Sequence, residues 1–296
     1  MRSRRGFTLI ELMVALLLLT AVVGSIYKLL VATQRVSRAQ SEHVNMQANM
    51  RAGAFIVPAE LRAIGYDVFP PSTVVPDIED MQATSITFRA QRSAGIICQV
   101  NAGQVVVDTT TNYSSLRAPN TSPTDSIMLF VDGDPTISTD DRWVSRAITA
   151  TSTTTCPSGA AARSFTVGAD FNATGDPIPQ TSITIGSPMR TFEGMQYSLY
   201  QSGSEYYLGA KSVNDASATR QPVLGPLSSN NGFNLAYYDQ SGTAITGNTA
   251  TDHANVRTIQ VTFVSVSDQN VTTSGYGTQQ QAVDSVVALV QLRNMR

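Results

Sequence analysis

Apolar residues fill almost every position from 7 to 32, and no charged residue interrupts them between positions 12 and 27. Proline is absent from this run and helix formers dominate it, which predicts an α-helix. At about 1.5 Å per residue the uncharged stretch alone covers about 24 Å. Adding residues 7–10 brings it to the length needed to cross a bilayer. Beyond Lys28 the pattern changes. Val36, Ala39, His43, Met46, Met50, Ala54, Val57, Leu61 and Ile64 recur at spacings of three and four, which is one face of a continuing amphipathic helix. That face is expected to pack under a globular head, with His43 as a boundary residue rather than a ligand. Pro58 is expected to kink or break the helix, Gly65 to cap it, and Pro70, Pro71 and Pro76 to mark that it is over.

From residue 82 onward the period shortens to that of strands. Short runs rich in Val, Ile, Thr, Phe and Tyr alternate with Gly, Asn, Asp, Ser and Pro clusters, as strands and turns do. The expected strands are 85–90, 96–100, 104–108, 126–131, 143–150, 164–168, 195–201, 205–210, 233–239, 258–265 and 282–293. Gln201-Ser-Gly-Ser204 joins two tyrosine-rich runs and reads as a hairpin turn. Residues 150–163 and 242–255 read as polar, mobile loops. The chain is therefore expected to be α+β, a long N-terminal helix packed on one large β-rich head with two sheets. The boundaries are 1–6 for a basic leader, 7–32 for the membrane half of the helix, 33–65 for its amphipathic half and 66–296 for the head.

Charge and composition narrow the setting. The 296 residues carry a formal net charge of −2, and charged residues make up only 14% of the chain, while Thr, Ser, Asn and Gln abound. Such a mix suits an extracytoplasmic β-rich domain. Removing the leader with Arg2, Arg4 and Arg5 leaves 17 basic against 22 acidic residues, or −5. A nucleic-acid partner is not expected, since phosphate neutralisation favours a basic protein. Cys98 and Cys156 are the only cysteines. Two cysteines in an exported domain usually pair, although two buried free thiols are the alternative.

Candidate chemistry is sparse. Asp132, Asp134, Thr136, Ser138 and Asp140 offer alternating oxygens of the kind calcium takes. However, Ile137 stands where a calcium loop needs glycine and Trp143 where it needs a bidentate glutamate. An acidic turn is the preferred reading, with Asp132, Asp134 and Asp140 as a weak calcium candidate. His43 and His253 are isolated, and no zinc spacing exists. No nucleophile has an adjacent base in sequence, and no phosphate-cradling glycine loop is present, so neither enzyme activity nor a cofactor is expected.

The remaining oddity is Glu11, a lone acid in the apolar run. An acid at the centre of a membrane helix costs roughly 2.5–3.5 kcal/mol on insertion scales, so something must compensate it. A secretory signal with a cut near Val22-Val-Gly24, or a plain single-span anchor, leaves the acid unexplained. Gly6-Phe7-Thr8-Leu9-Ile10-Glu11-Leu12-Met13-Val14 resembles the signal of type IV pilins and of type II secretion pseudopilins. The resemblance implies a prepilin peptidase cut between Gly6 and Phe7, N-methylation of Phe7, and a Glu11 that pairs with the new α-amine of a neighbouring subunit. It also implies an inner-membrane protein with a single span and a periplasmic head, later part of a cell-surface pilus. Its partners would be other minor and major pilins, the peptidase and the inner-membrane assembly platform.

Four later fragments resemble one branch of that family, the PilW-type minor pilins related to GspJ-type pseudopilins. They are Ala59-Glu-Leu-Arg-Ala-Ile-Gly-Tyr66, Pro123-Thr-Asp-Ser-Ile127, Phe233-Asn-Leu-Ala-Tyr-Tyr-Asp239 and Val290-Gln-Leu-Arg-Asn294. The branch implies a structural subunit that initiates a filament or caps its tip. A GspJ-like secretion pseudopilin and a helix-anchored adhesin are the other readings.

Overall fold

Helix propensity and an unbroken apolar pattern carry the first element further than proline would suggest. The computed structural model describes residues 8–65, 77–121, 125–134, 136–137, 140–168, 171, 178–268, 270–271 and 281–292. Within them α1 runs without interruption from Leu9 to Leu61, 53 residues. Pro58 lies inside it and does not break it. The proline sits in the last turn, where one missing donor removes a single bond, and the carbonyl of Pro58 still accepts from Arg62 at 3.0 Å. Gly65 then takes a positive φ of 82°, a conformation that only glycine adopts without strain.

The strands among the described residues are β1 (Ile78–Met81), β2 (Ser85–Asn101), β3 (Gln104–Asp108), β4 (Ser114–Ser115), β5 (Ser126–Val131), β6 (Arg142–Ala147), β7 (Ala150–Thr155) and β8 (Ala161–Thr166). They continue as β9 (Pro188–Ser202), β10 (Glu205–Ser212), β11 (Gln221–Leu227), β12 (Phe233–Tyr238), β13 (Ala244–Ile245), β14 (Thr258–Val266) and β15 (Val283–Gln291). A short helix, α2 (Ala250–Asn255), precedes β14. The class is α+β, as the pattern predicts. The two expected sheets are instead one hydrogen-bonded network, with the main path β13-β12-β14-β11-β10-β9-β2-β3-β8-β7.

Two strands hold that network together. β2 pairs with β9 from Ser85↔Ser198 to Ile96↔Pro188, and each strand serves two cores. Ile86 and Phe88 of β2 and Tyr197 of β9 belong to the first core, together with Val57, Leu61 and Ile64 at the end of α1. Ile97 of β2 and Met189 of β9 belong to the second, with Val105, Ile127, Leu129 and Phe165. The polar stretch between positions 90 and 96 suggests a turn in sequence. The structure keeps it in the strand because its polar groups find partners across the sheet: Ser93 Oγ lies 2.6 Å from Thr191 Oγ1, and Arg92 reaches Glu193.

Other departures have equally local causes. Residues 150–163, expected as a loop, contain β7 and the start of β8, paired over six positions. The run Ala-Thr-Ser-Thr-Thr-Thr looks like loop by polarity, yet β-branched threonine favours the pleated backbone. β11 is hidden by Pro222 and Pro226, and its pairing with β10 is correspondingly irregular. Residues 242–255 hold β13 and α2, which starts with a capping box between Thr249 and Asp252. On α1, Met46, Met50, Val57 and Leu61 are buried as expected, but Val36 and His43 are exposed. The head's footprint on the helix thins out near Ala39, which packs with Met46, Val271 and Ala282. Leu61, Tyr237 and Leu292, from the branch-specific fragments, are all members of the first core; Tyr66 lies outside the described residues.

Cys98 of β2 and Cys156, just after β7, form a disulfide with Cα atoms 5.8 Å apart and a sequence separation of 58. It ties the outer β7–β8 hairpin back to β2. Replacing both cysteines by alanine should lower stability by about 4 kcal/mol in the chain-entropy picture. Chemical denaturation of the oxidised protein and of the double variant, at equal protein concentration, checks the value.

Candidate functional site

The N-terminal end of α1 is built by a side-chain cap. Thr8 is extended, and its hydroxyl accepts from the Glu11 amide at 3.4 Å. This places an acid in the first turn, where the helix dipole favours it. The Glu11 side chain is exposed, and among the described residues its carboxylate has no hydrogen-bond or ion-pair partner. Gly6 and Phe7, the expected cleavage and methylation positions, lie outside the described residues. Hydroxyl groups further along are satisfied within the helix: Thr20 donates to the Leu17 carbonyl at 2.9 Å and Ser25 to the Ala21 carbonyl at 2.8 Å. With its backbone bonded internally as well, this half of α1 meets the condition for lying in hydrocarbon, and it is long and apolar enough to cross a membrane. Glu11 is the exception.

Above this region α1 has two faces. One packs on β15, β14, β11 and β2. The opposite one carries Thr33, Ser37, Ser41, Val44, Ala48, Ala52, Phe55 and Ala59, all exposed, at steps of three and four and without a single charge. In sequence the stronger buried stripe hides this second one, although the same periodicity reveals it.

The packed face is fixed by specific contacts. Asn49 Nδ2 donates to the Gly225 carbonyl at 3.0 Å. Gly53 lets β11 come close, since a Cβ there would lie 2.4 Å from Leu224 Cδ2. Near the end of α1, Glu60 Oε1 lies 3.3 Å from Arg92 Nη1 and Glu60 Oε2 accepts from the Tyr197 hydroxyl at 2.9 Å. Arg92 Nε donates to Glu193 Oε2 at 2.9 Å. Arg117 donates to the same oxygen at 2.7 Å and grips Asp125 through both terminal nitrogens at 2.6 and 3.1 Å. Burial pushes the Glu193 carboxyl up, but hydrogen bonds from Arg117 and Arg92, aided by their charges, outweigh it and hold it below its ordinary value. The Tyr197 phenol is driven far up by burial and by the charge of Glu60.

In the described part of the acidic loop, the Ile137 amide donates to the Asp134 carbonyl at 2.8 Å and closes a turn. Asp134 Oδ1 accepts from the amide and hydroxyl of Thr136, at 2.9 and 2.8 Å. Asp140 lies against Gly133, and the Asp132 amide donates to the Ser182 carbonyl. Burial and the charges of Asp132 and Asp140 raise the Asp141 carboxyl. Ser138 lies outside the described residues, and no group of three His, Cys, Asp or Glu side chains suited to a metal ion occurs among those described. His43 is exposed on α1, and His253 is buried with a ring nitrogen 2.7 Å from Asn248 Oδ1.

Residues 1–27 match the family model of the prokaryotic N-terminal methylation motif. No curated protein and no solved structure matches the chain. The motif and the apolar helix together fit a membrane-anchored, pilin-like protein.

Arg92 sits between two carboxylates, so its removal leaves Glu60 without a cation and Glu193 with Arg117 alone, a loss of at most roughly 3–5 kcal/mol. Arg92→Met is expected to destabilise by that order in denaturant melts of the full chain in detergent. Glu193 binds its proton less readily folded than unfolded, so its contribution is complete above the ordinary carboxylate range and disappears as pH falls through the depressed folded value. Glu193→Gln should therefore flatten the acid side of the stability profile, measured by the same melts.

Proposed function

We propose that this chain is a structural, non-enzymatic minor pilin of a type IV pilus, of the PilW-like kind, which starts assembly or caps the tip. The observation that carries the proposal is the methylation motif joined without interruption to an apolar run, residues 7–32, whose sole acid is Glu11. In this reading residues 1–6 are a cytoplasmic leader. A prepilin peptidase cuts after Gly6, and Phe7 becomes the methylated N-terminus. Residues 7–32 lie in the inner membrane, 33–65 continue the rod, and the head from 66 to 296 is periplasmic until it reaches the cell surface.

The chemistry of Glu11 supports this order of events. A buried charge with its partner removed is costly, while a paired one is tolerated. Among the described residues the carboxylate finds no partner, and a neighbour's α-amine at Phe7 would supply one only in a single axial register. The uncharged stripe from Thr33 to Ala59 suits close packing of helix on helix, because small side chains let backbones approach. Other pilins, contacted along this rod, are the partners expected, together with the peptidase and the assembly platform. No cofactor is required.

Co-purification of the membrane form with mass spectrometry tests the proposal. The expected result is an N-terminal peptide that begins at Phe7 and carries one methyl group, recovered with other pilins. A chain that keeps Met1, or partners drawn from a secretion channel, would overturn it. Glu11→Ala should still insert in the membrane but co-purify with those partners at a small fraction of the wild-type yield; undiminished recovery would refute the pairing role.

A further inference from the structure

Charge along α1 is one-sided. Past Glu11 the helix and its C-cap carry the cations Lys28, Arg35, Arg38, Arg51 and Arg62, against the carboxylates Glu42 and Glu60. Each of these cations is exposed, and none forms an ion pair among the described residues. Both carboxylates are half-buried and engaged with the head. Glu42 Oε2 accepts from the Asp268 amide at 3.1 Å, and Glu60 is taken up by Arg92 and the Tyr197 hydroxyl. The charge that α1 leaves for a neighbour is therefore positive.

Two of the cations border the uncharged face. Arg51 lies one turn from Ala48 and Phe55, and Arg62 one turn from Ala59. Phe55 is 76% exposed, and Val44 further down is exposed as well. From Arg51 to Arg62 is close to three turns, about 16 Å along one side of the rod.

We propose that the neighbour covering this face is a helix of a different chain, with carboxylates beside its own apolar stripe and two of them about three turns apart, and that a second copy of this chain is refused there.

Discrimination of this kind needs a repulsive element as well as an attractive one. At every axial offset a second copy brings cations toward cations, and its acids are held by its own head. It gains the apolar contact and meets like charge, whereas an acidic rod gains both contact and attraction. Exposed ion pairs add little affinity each, so their weight lies in the choice of partner and register. Anionic lipid is the other chemistry that cations beside a membrane meet. It fits Arg51 and Arg62 poorly. With the membrane half ending at residue 32, Arg51 stands about 28 Å further along the helix, well past the headgroup layer. The inference rests on the reading of α1 as one rod among others and adds the charge of the rod beside it.

Crosslinking of the full chain in its native membrane tests it, with a photo-crosslinking amino acid in place of the exposed Ala52. The expected adduct is with a different chain whose helix carries acids at that spacing. Arg51→Glu combined with Arg62→Glu should cut its yield about tenfold, the size expected when a few exposed pairs turn repulsive, while Arg51→Lys with Arg62→Lys keeps it. A second measurement uses two tagged copies in a host without those partners. The wild-type copy paired with the doubly glutamate-substituted copy should crosslink about tenfold more than two wild-type copies, and the excess should shrink as salt rises. An intact Cys98–Cys156 bond and unchanged protease resistance of the head show that each variant is folded. An adduct with a second wild-type copy, a native adduct that ignores the charge reversal, or equal yields from like and opposite pairs would overturn the inference and leave the rod reading standing. Adducts with lipid alone, or none in either membrane, would remove both.

Discussion

The buried guanidinium of Arg92 is the contact on which the architecture turns. It joins Glu60 of the helix, Glu193 of β9 and, through Glu193, Arg117 and Asp125. Because Arg92 has partners inside, β2 can pass through a polar stretch without turning back. A continuous β2 is what allows one hydrogen-bonded network to cover two cores. The same residue fixes the upper end of α1 to the sheet, close to the buried residues Val57, Leu61 and Ile64. A buried pair of this kind is weak evidence of net stability but strong evidence of geometry, since the alternatives leave a charge without a partner.

Contacts between residues distant in the chain set the boundary of what the sequence reveals. The helix, the chain of short strands and the broad α+β class follow from periodicity, because burial on one side of an element leaves a pattern of 3.6 or 2. β2 as a single strand does not follow, since its centre looks polar until Glu193, Glu60 and Thr191 are placed beside it. β7 escapes for the opposite reason: its threonines are exposed on the edge of the network, so no burial pattern forms and only backbone preference remains. β11 escapes because its prolines signal a break, whereas the strand tolerates them where its pairing is irregular. Pro58 shows the same limit on α1, where the packing of its neighbours overrides a local rule.

The candidate site divides in a similar way. Glu11 stands out in sequence because a membrane-length apolar run makes any acid conspicuous. The clamp of Asn49, Gly53 and Glu60 on the head cannot be read there, since each partner lies far away in the chain. The uncharged stripe opposite the head was legible and was obscured by the stronger buried stripe. A helix segment with apolar or small residues on two sides has one face committed to its own head and one left over.

These two faces and the lone acid bear on one question, which is why α1 is so long. A membrane anchor alone needs about 20 residues, and a head needs only a few turns of helix to complete a core. The 53 residues of α1 exceed either need. Between its membrane-length half and its clamped end, the helix is held to the head on one side and is uncharged on the other. A rod with that distribution is stable as a single copy only where water or lipid covers the uncharged side. The proposed assembly would account for both features, since neighbouring rods of the same kind would cover the stripe and offer Glu11 a counter-charge.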